Sequence, residues 1–235
     1  MSEVEQLRLS NVHAFYGESH ILHGIDMKVH RGELITLLGR NGSGRSTILK
    51  SIMGMVDRCT GSIMINGKEA ITQPPFRIPR LGVGYCPEER GIFASLNVEE
   101  NLLLPPTIRS GGMTLDEIYE MFPNLYERRH SQGTRLSGGE QQMLAMARIL
   151  RSGANLLLLD EITEGLAPVI VQKLAEVLIK LKEKNLTIIL VEQNFRFAAP
   201  LADRHYLIEH GQILEEFSAA ELPGQMNLLH RQLGV

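Results

Sequence analysis

The sequence predicts an α/β fold, and three features predict it. A short apolar run, ELITLL (33–38), enters a glycine-rich turn, and Ile48, Leu49, Ile52 and Met53 follow at helical spacing. That is strand, loop and helix in succession. Two more continuously apolar runs, NLLLLD (155–160) and LTIILVEQ (186–193), read as strands of a parallel sheet covered on both faces. Between them lies PVIVQKLAEVLIKLKEK (168–184), with Pro168 near its start and Ile170, Val171, Leu174, Val177, Leu178 and Leu181 on one face, an amphipathic helix. Strands alternating with helices mark this fold class.

The other elements fit around that core. LRLSNVHAFYG (7–17) and IDMKVHRG (25–32) alternate apolar and polar side chains, as antiparallel strands with one wet face do. GSIMING (61–67) and LGVGYCP (81–87) read as further short strands. From Glu88 to Arg135 the pattern turns to helices and loops. Thr114 and Glu117 form a capping box for a helix over LDEIYEMF, and Pro123 follows its end. A second helix starts at Ser137. HYLIEHGQILEEF (205–217) reads as a hairpin about His210 and Gly211.

Bulk properties narrow the function. The chain has 235 residues and a formal charge of -3, so there is no general electrostatic pull toward nucleic acid. Two cysteines, Cys59 and Cys86, show no paired spacing and no His/Cys cluster, which suits a reduced compartment without a zinc site. The first residues, MSEVEQLRLS, lack the apolar centre of a signal peptide. No apolar run reaches the ~18 residues that span a bilayer, so any membrane connection goes through another protein.

Three motifs carry chemistry. In LLGRNGSGRST (37–47), Gly39 is followed by four residues, Gly44, a cation and Ser46. This is a phosphate-binding loop with Arg45 where the pattern has lysine. Gly42 and Gly44 let the backbone aim its N–H groups at phosphate oxygens. The helix behind adds its positive end, and Ser46 is placed to ligate Mg²⁺. In LLLLDE, Asp160 would hold the Mg²⁺ shell and Glu161 would polarise an attacking water; alone, the pair reads equally as a solvated strand end. In LSGGEQQ (136–142), Ser137 caps a helix whose third residue is Glu140, and Gly138 and Gly139 keep its entrance bare. That is an ordinary capped helix or a second anion site. A second site makes sense if it serves the nucleotide of a partner subunit.

LSGGEQQ between a phosphate loop and LLLLDE resembles the ATP-binding subunit of the ABC transporter superfamily, over almost the whole chain. GYCPEERGIFASLNVEENL (84–102), TEGLAP (163–168) and VEQN (191–194) resemble one branch, the ATPases of branched-chain amino-acid importers. The resemblance implies a P-loop NTPase (RecA-like) core with an antiparallel β subdomain and an inserted helical subdomain. It makes the chain a single domain, residues 1–87 and 141–235 forming the core with its β subdomain and 88–140 the helical signature subdomain. ATP and Mg²⁺ are its implied ligands, held by Gly39, Asn41, Gly42, Ser43, Gly44, Arg45, Ser46 and Thr47. Ser137, Gly138 and Gly139 would serve the other subunit's nucleotide.

The resemblance implies further roles. Tyr16 would stack on adenine, or else packs as a strand aromatic on the core. Glu88 takes the place of the coupling-loop glutamine near Mg²⁺ and the membrane partner. Gln193 takes the place of the switch histidine that contacts the γ-phosphate. Ile162 stands where a proline is usual. The implied partners are a second ATPase subunit, two membrane-spanning permease subunits and, indirectly, a solute-binding protein. The implied location is the cytoplasmic face of the inner membrane, peripherally bound. A non-transport ABC ATPase and a nucleotide-binding subunit that scarcely hydrolyses are the alternatives, and Arg45 favours the second. Lysine is a compact point charge and arginine a wide planar fork. The surrounding residues, Arg40 and Gln193 among them, either have adapted to that fork or have not.

Overall fold

A computed structural model describes residues 4–233; the part of the signal-peptide reading that falls on residues 1–3 lies outside the described residues. The chain builds two sheets. The first is antiparallel, with strands β1 (Glu5–Tyr16), β2 (Ser19–His30), β4 (Arg58–Ile65) and β5 (Lys68–Glu69) in the order β2-β1-β4-β5. β1 alternates as its sequence implies, with Leu7, Leu9, Val12 and Ala14 buried. Its register with β2 shifts between Leu9 and Val12, beside Asn11 at φ 48°, a bulge that lets one long strand bend.

The second sheet contains β3 (Leu34–Leu38), β6 (Val83–Cys86), β7 (Leu156–Asp160), β8 (Thr187–Val191), β9 (Arg204–Glu209) and β10 (Gln212–Ser218), in the order β10-β9-β3-β8-β7-β6. All pairings are parallel except β9 with β10. The period of two sorts its side chains between two cores. Leu157, Leu159, Ile188 and Leu190 face one side, with α5 (Gly138–Arg151) and α6 (Pro168–Glu183). Leu156, Leu158, Ile189 and Val191 face the antiparallel sheet and α1 (Arg45–Ile52). Burial on both faces is why these strands read as unbroken apolar runs.

Between β6 and β7 come α2 (Val98–Leu103), α3 (Leu115–Met121), α4 (Pro123–Glu127) and α5. Capping boxes start three of them, on Asn97, Thr114 and Ser137. Pro123 follows the end of α3, as the sequence implies. It also opens α4 at its first position, where its missing N–H costs nothing. Two helices had no clear sequence signal: α7 (Phe195–Ala198) and α8 (Leu222–Leu233). In α8, Pro223 and Gly224 fall in the first turn and mask the helical pattern. Among the described residues no helix is long and apolar enough to cross a membrane.

Candidate functional site

The carboxyl end of β3 feeds the loop that runs into α1. Gly39 must be glycine because a Cβ would lie 2.4 Å from the Ile208 carbonyl oxygen and 2.6 Å from Ser43 Oγ. Gly44 caps α1 at φ 105°, a left-handed conformation. Tyr16, Asn41, Gly42, Ser43, Gly44, Arg45, Ser46, Thr47, Glu88, Glu161 and Gln193 line one cleft of about 420 Å³, joined by Ile21 and Glu164. Gly39 lies just behind it, in a smaller cavity with Ser43 and the turn after β9. Tyr16 is partly exposed at the end of β1.

Arg45 is only 4% exposed. Its guanidinium donates from Nη1 to the Glu192 carbonyl oxygen (2.9 Å) and from Nη2 to Glu161 Oε1 (3.0 Å) and Asn41 Oδ1 (3.3 Å). Burial pulls its pKa down, while Glu161, Asp160 and Glu192 act the other way; an arginine keeps its proton throughout. Arg40, next to the loop's glycine, turns away. It donates to the carbonyl oxygens of Gln232 (2.7 Å) and Arg231 (3.3 Å) in the last turn of α8.

Asp160 ends β7, and Glu161 follows in the left-handed region at φ 47°. Ser46 Oγ donates to Asp160 Oδ1 (2.9 Å) and the Tyr85 hydroxyl to Oδ2 (3.2 Å). Burial raises the Asp160 pKa against these two hydrogen bonds. Burial likewise pushes the Tyr85 hydroxyl pKa far above its ordinary value, with the Asp160 charge adding to it, so the phenol stays a donor. Gln193 Nε2 donates to Glu161 Oε2. Glu88 is exposed at the cleft mouth, and its pKa is raised first by desolvation and then by Glu164.

Two groups here carried no sequence signal of their own. Tyr85 reaches Asp160 only because β6 and β7 are neighbours, pairing Tyr85 with Leu158. Glu192 is a lone charge closing an apolar run, which could have drawn attention. It is 2% exposed, and its carboxylate accepts from Thr163 N (3.0 Å) and Thr163 Oγ1 (2.8 Å). Burial pushes its pKa up to about 7. Ile162, in the place of a proline, is fully buried in the core beneath α5 and α6.

Ser137, Gly138 and Gly139 are not among the residues lining the cleft. Ser137 caps α5 through Glu140, a Cβ on Gly138 would meet Arg90, and one on Gly139 would lie 2.9 Å from Ile170. A separate groove of about 730 Å³ opens beside β6. Met53, Met55, Phe76, Pro105, Pro106, Ile108 and Ile149 give it apolar walls, and Glu89, Arg90 and Arg148 a charged rim.

The doubly covered parallel sheet and the glycine loop at a strand's carboxyl end define a protein of the P-loop NTPase fold. The chain belongs to the ABC transporter family, whose family model matches residues 22–164. It is 40% identical over 219 residues to the high-affinity branched-chain amino acid transport ATP-binding protein BraG of Pseudomonas aeruginosa, covering 92% of this chain and 94% of that one. It is 38% identical over 220 residues to the probable branched-chain amino acid transport ATP-binding protein LivF of Archaeoglobus fulgidus, covering 92% and 93%. At 28% identity over 221 residues, and 92% of both chains, it is also similar to the lipopolysaccharide export system ATP-binding protein LptB of Escherichia coli. A nucleotide-free ATP-binding cassette from an ABC transporter shares the fold at a TM-score of 0.82 and 23% identity, covering 95% of this chain and 96% of that one.

Glu192 gives the site a pH signature. Its folded pKa lies near 7, above the ordinary glutamate value of ~4.3. The folded state therefore binds the extra proton between those values, and the stability this provides is lost as pH rises through 7. Glu192→Gln removes the titration. The melting temperature of the wild type relative to this variant should fall by several degrees from pH 5 to pH 8, since each tenfold in proton affinity is worth about 1.4 kcal/mol. A constant difference across that range would contradict the assignment.

Proposed function

We propose that the chain is the ATP-binding and ATP-hydrolysing subunit of an ABC importer for branched-chain or related amino acids. The observation that supports it most is the convergence of Ser46, Glu161 and Gln193 on one cleft with the phosphate loop, with Asp160 buried behind it and bonded to Ser46. The substrate class rests on likeness to BraG and LivF.

Mg²⁺ suits the residues present. The Ser46 hydroxyl and the Asp160 carboxylate already touch, and a buried carboxylate without a cation is relieved by one. Ser46 and Asp160 would hold it, with Glu88 at the rim. When bound, Mg²⁺ neutralises charge on the phosphate oxygens. The loop residues Gly39 and Asn41 to Thr47 bind the triphosphate, and Tyr16 stacks on the base. Glu161 accepts the proton of the attacking water, and Gln193 orients Glu161 and the terminal phosphate. Arg45 must exchange Glu161 for phosphate oxygens as nucleotide enters.

The partner reading follows from residues that the cleft leaves out. Ser137, exposed at the start of α5, with half-buried Gly138 and buried Gly139 behind it, would serve the nucleotide of a second ATPase subunit. The groove and the exposed stretch that follows Glu88 receive the two permease subunits, which work with a solute-binding protein. That places the chain on the cytoplasmic face of the inner membrane. On this reading residues 88–140 form a helical unit inserted in a core made of 1–87 and 141–235. A nucleotide-binding subunit with little hydrolysis is the second reading, favoured by the Arg45–Glu161 ion pair, which occupies the base.

Single-turnover hydrolysis separates the two. Glu161→Gln keeps size but loses basicity, so the rate should fall about 10²–10⁴-fold with ATP still bound; near-normal turnover would reject Glu161 as the base. Ser46→Ala should weaken the Mg²⁺ dependence of ATP binding in calorimetry, and an unchanged dependence would remove Ser46 from the metal. Arg45→Lys should raise, or at least not lower, the rate at this chain's own site when the partner's site is disabled. A clear fall at constant ATP affinity would make Arg45 an adapted catalytic cation. Ala94 and Ser95 are exposed in the stretch that follows Glu88, so cysteine at either should cross-link to a permease subunit in the assembled transporter. No adduct from either position would count against this docking face.

A further inference from the structure

Glu161 sits in the left-handed region at φ 47°. A non-glycine residue there is strained and persists only when its surroundings hold it. On its amino side the hold is clear, because Glu161 N donates to the Val191 carbonyl oxygen at 2.9 Å. On its carboxyl side the chain passes through Ile162, which is buried in apolar core, to Thr163. There both the backbone N–H and the hydroxyl are taken by one buried carboxylate, that of Glu192, at 3.0 and 2.8 Å.

The same residue reaches the cleft from its main chain. The Glu192 carbonyl oxygen accepts from Arg45 Nη1 at 2.9 Å, while the other arm of that guanidinium grips Glu161. The next residue, Gln193, donates to the second oxygen of Glu161. Three consecutive residues, Val191 to Gln193, thus fix the backbone, the side chain and the cationic partner of Glu161. What depends on the identity of residue 192 is its carboxylate, which grips Thr163 at two points and also faces the Asn194 N–H. A buried carboxylate is costly to keep. Valine or isoleucine would continue strand β8 at no such cost, so the carboxylate must return something.

We propose that Glu192 is a positioning residue for the hydrolysis reaction, holding the Glu161 loop through Thr163 so that the carboxylate of Glu161 stays aimed into the cleft. The role rests on the reading of Glu161 as the base. It is distinct from the role of Gln193, which touches Glu161 directly. The Glu192 side chain hydrogen-bonds neither the base nor the phosphate loop; besides its charge, felt by Arg45 and Glu161 through space, its contacts are with the backbone and hydroxyl of Thr163 and the Asn194 N–H.

The test uses the full-length chain and four variants, each with a melting curve. Glu192→Met fills the space but replaces the carboxylate with a single weak thioether acceptor. Thr163→Val is the matching loss on the other side, and Thr163→Ser restores the hydroxyl. The fourth variant combines Glu192→Met with Thr163→Val. Two readouts are taken: hydrogen exchange of the amides of residues 161–164, and single-turnover ATP hydrolysis as a function of ATP concentration. Glu192→Met should speed exchange at Thr163 and lower the maximal rate about tenfold, with the half-saturating ATP concentration within about twofold of wild type, the scale of one lost positioned contact. Thr163→Val should lower the rate in the same way and Thr163→Ser should keep it. The double variant should lose no more than Glu192→Met alone, because both break one grip. Unchanged exchange and rate in Glu192→Met would overturn the proposal, as would a loss confined to ATP affinity or additive losses in the double variant. A wild-type chain that does not hydrolyse ATP would instead overturn the enzymatic reading of the site, and the exchange arm would still accept or reject Glu192 as the anchor.

Discussion

A guanidinium buried at the root of the phosphate loop cannot stay unpaired, and most of the cleft is arranged around that constraint. Arg45 has three oxygen partners within reach, the Glu192 carbonyl, Asn41 and Glu161. Only the last carries a charge. With Gln193 on its other oxygen, Glu161 is held from two sides. The ion pair is 4% and 10% exposed at its two side chains, so water offers little competition. Breaking a buried pair without replacing a partner is expensive, which sets the condition for reactivity. On the proposed reading, phosphate oxygens would replace Glu161 on the guanidinium and leave the carboxylate with Gln193.

The rest of the fold supplies the rigidity this exchange needs. β3, β8 and β7 lie side by side with both faces buried, so their carboxyl ends present the loop, Gln193 and Asp160–Glu161 at fixed spacing. Ser46 and Tyr85 pin Asp160 from two elements. Arg40 ties the loop's far side to the last turn of α8. The cleft therefore has one tense point, the left-handed Glu161, within a frame that has little freedom.

Much of this was legible in the sequence, for physical reasons. Strands covered on both faces leave unbroken apolar runs, and a strand that ends in Gly39, Gly42 and Gly44 before a helix has few other uses. Capping boxes write their own signal, as Thr114 and Ser137 do. Contacts made between elements were not legible. Tyr85 meets Asp160 across a strand pairing that no local pattern encodes. Glu192 is one polar letter in an apolar run, and its partner Thr163 lies 29 residues away. Pro123 follows the stop of α3 as read, and is also the start of α4, since a proline suits either role. The partners of Arg45 were open from sequence: Arg40, a candidate for adaptation to the guanidinium, is engaged elsewhere, whereas Glu192 and Asn41 surround it.

The central claim is that Arg45 rests on Glu161 and transfers to the triphosphate. The most direct measurement is the ¹⁵N NMR signal of the Arg45 guanidinium, assigned by comparison with Arg45→Lys, in the wild type and in Glu161→Gln, with and without ATP. The account predicts slowly exchanging guanidinium protons in the nucleotide-free wild type. It predicts faster exchange in nucleotide-free Glu161→Gln, and a shifted signal common to both proteins when ATP is bound. A signal that is the same in both nucleotide-free proteins and does not move with ATP would contradict it.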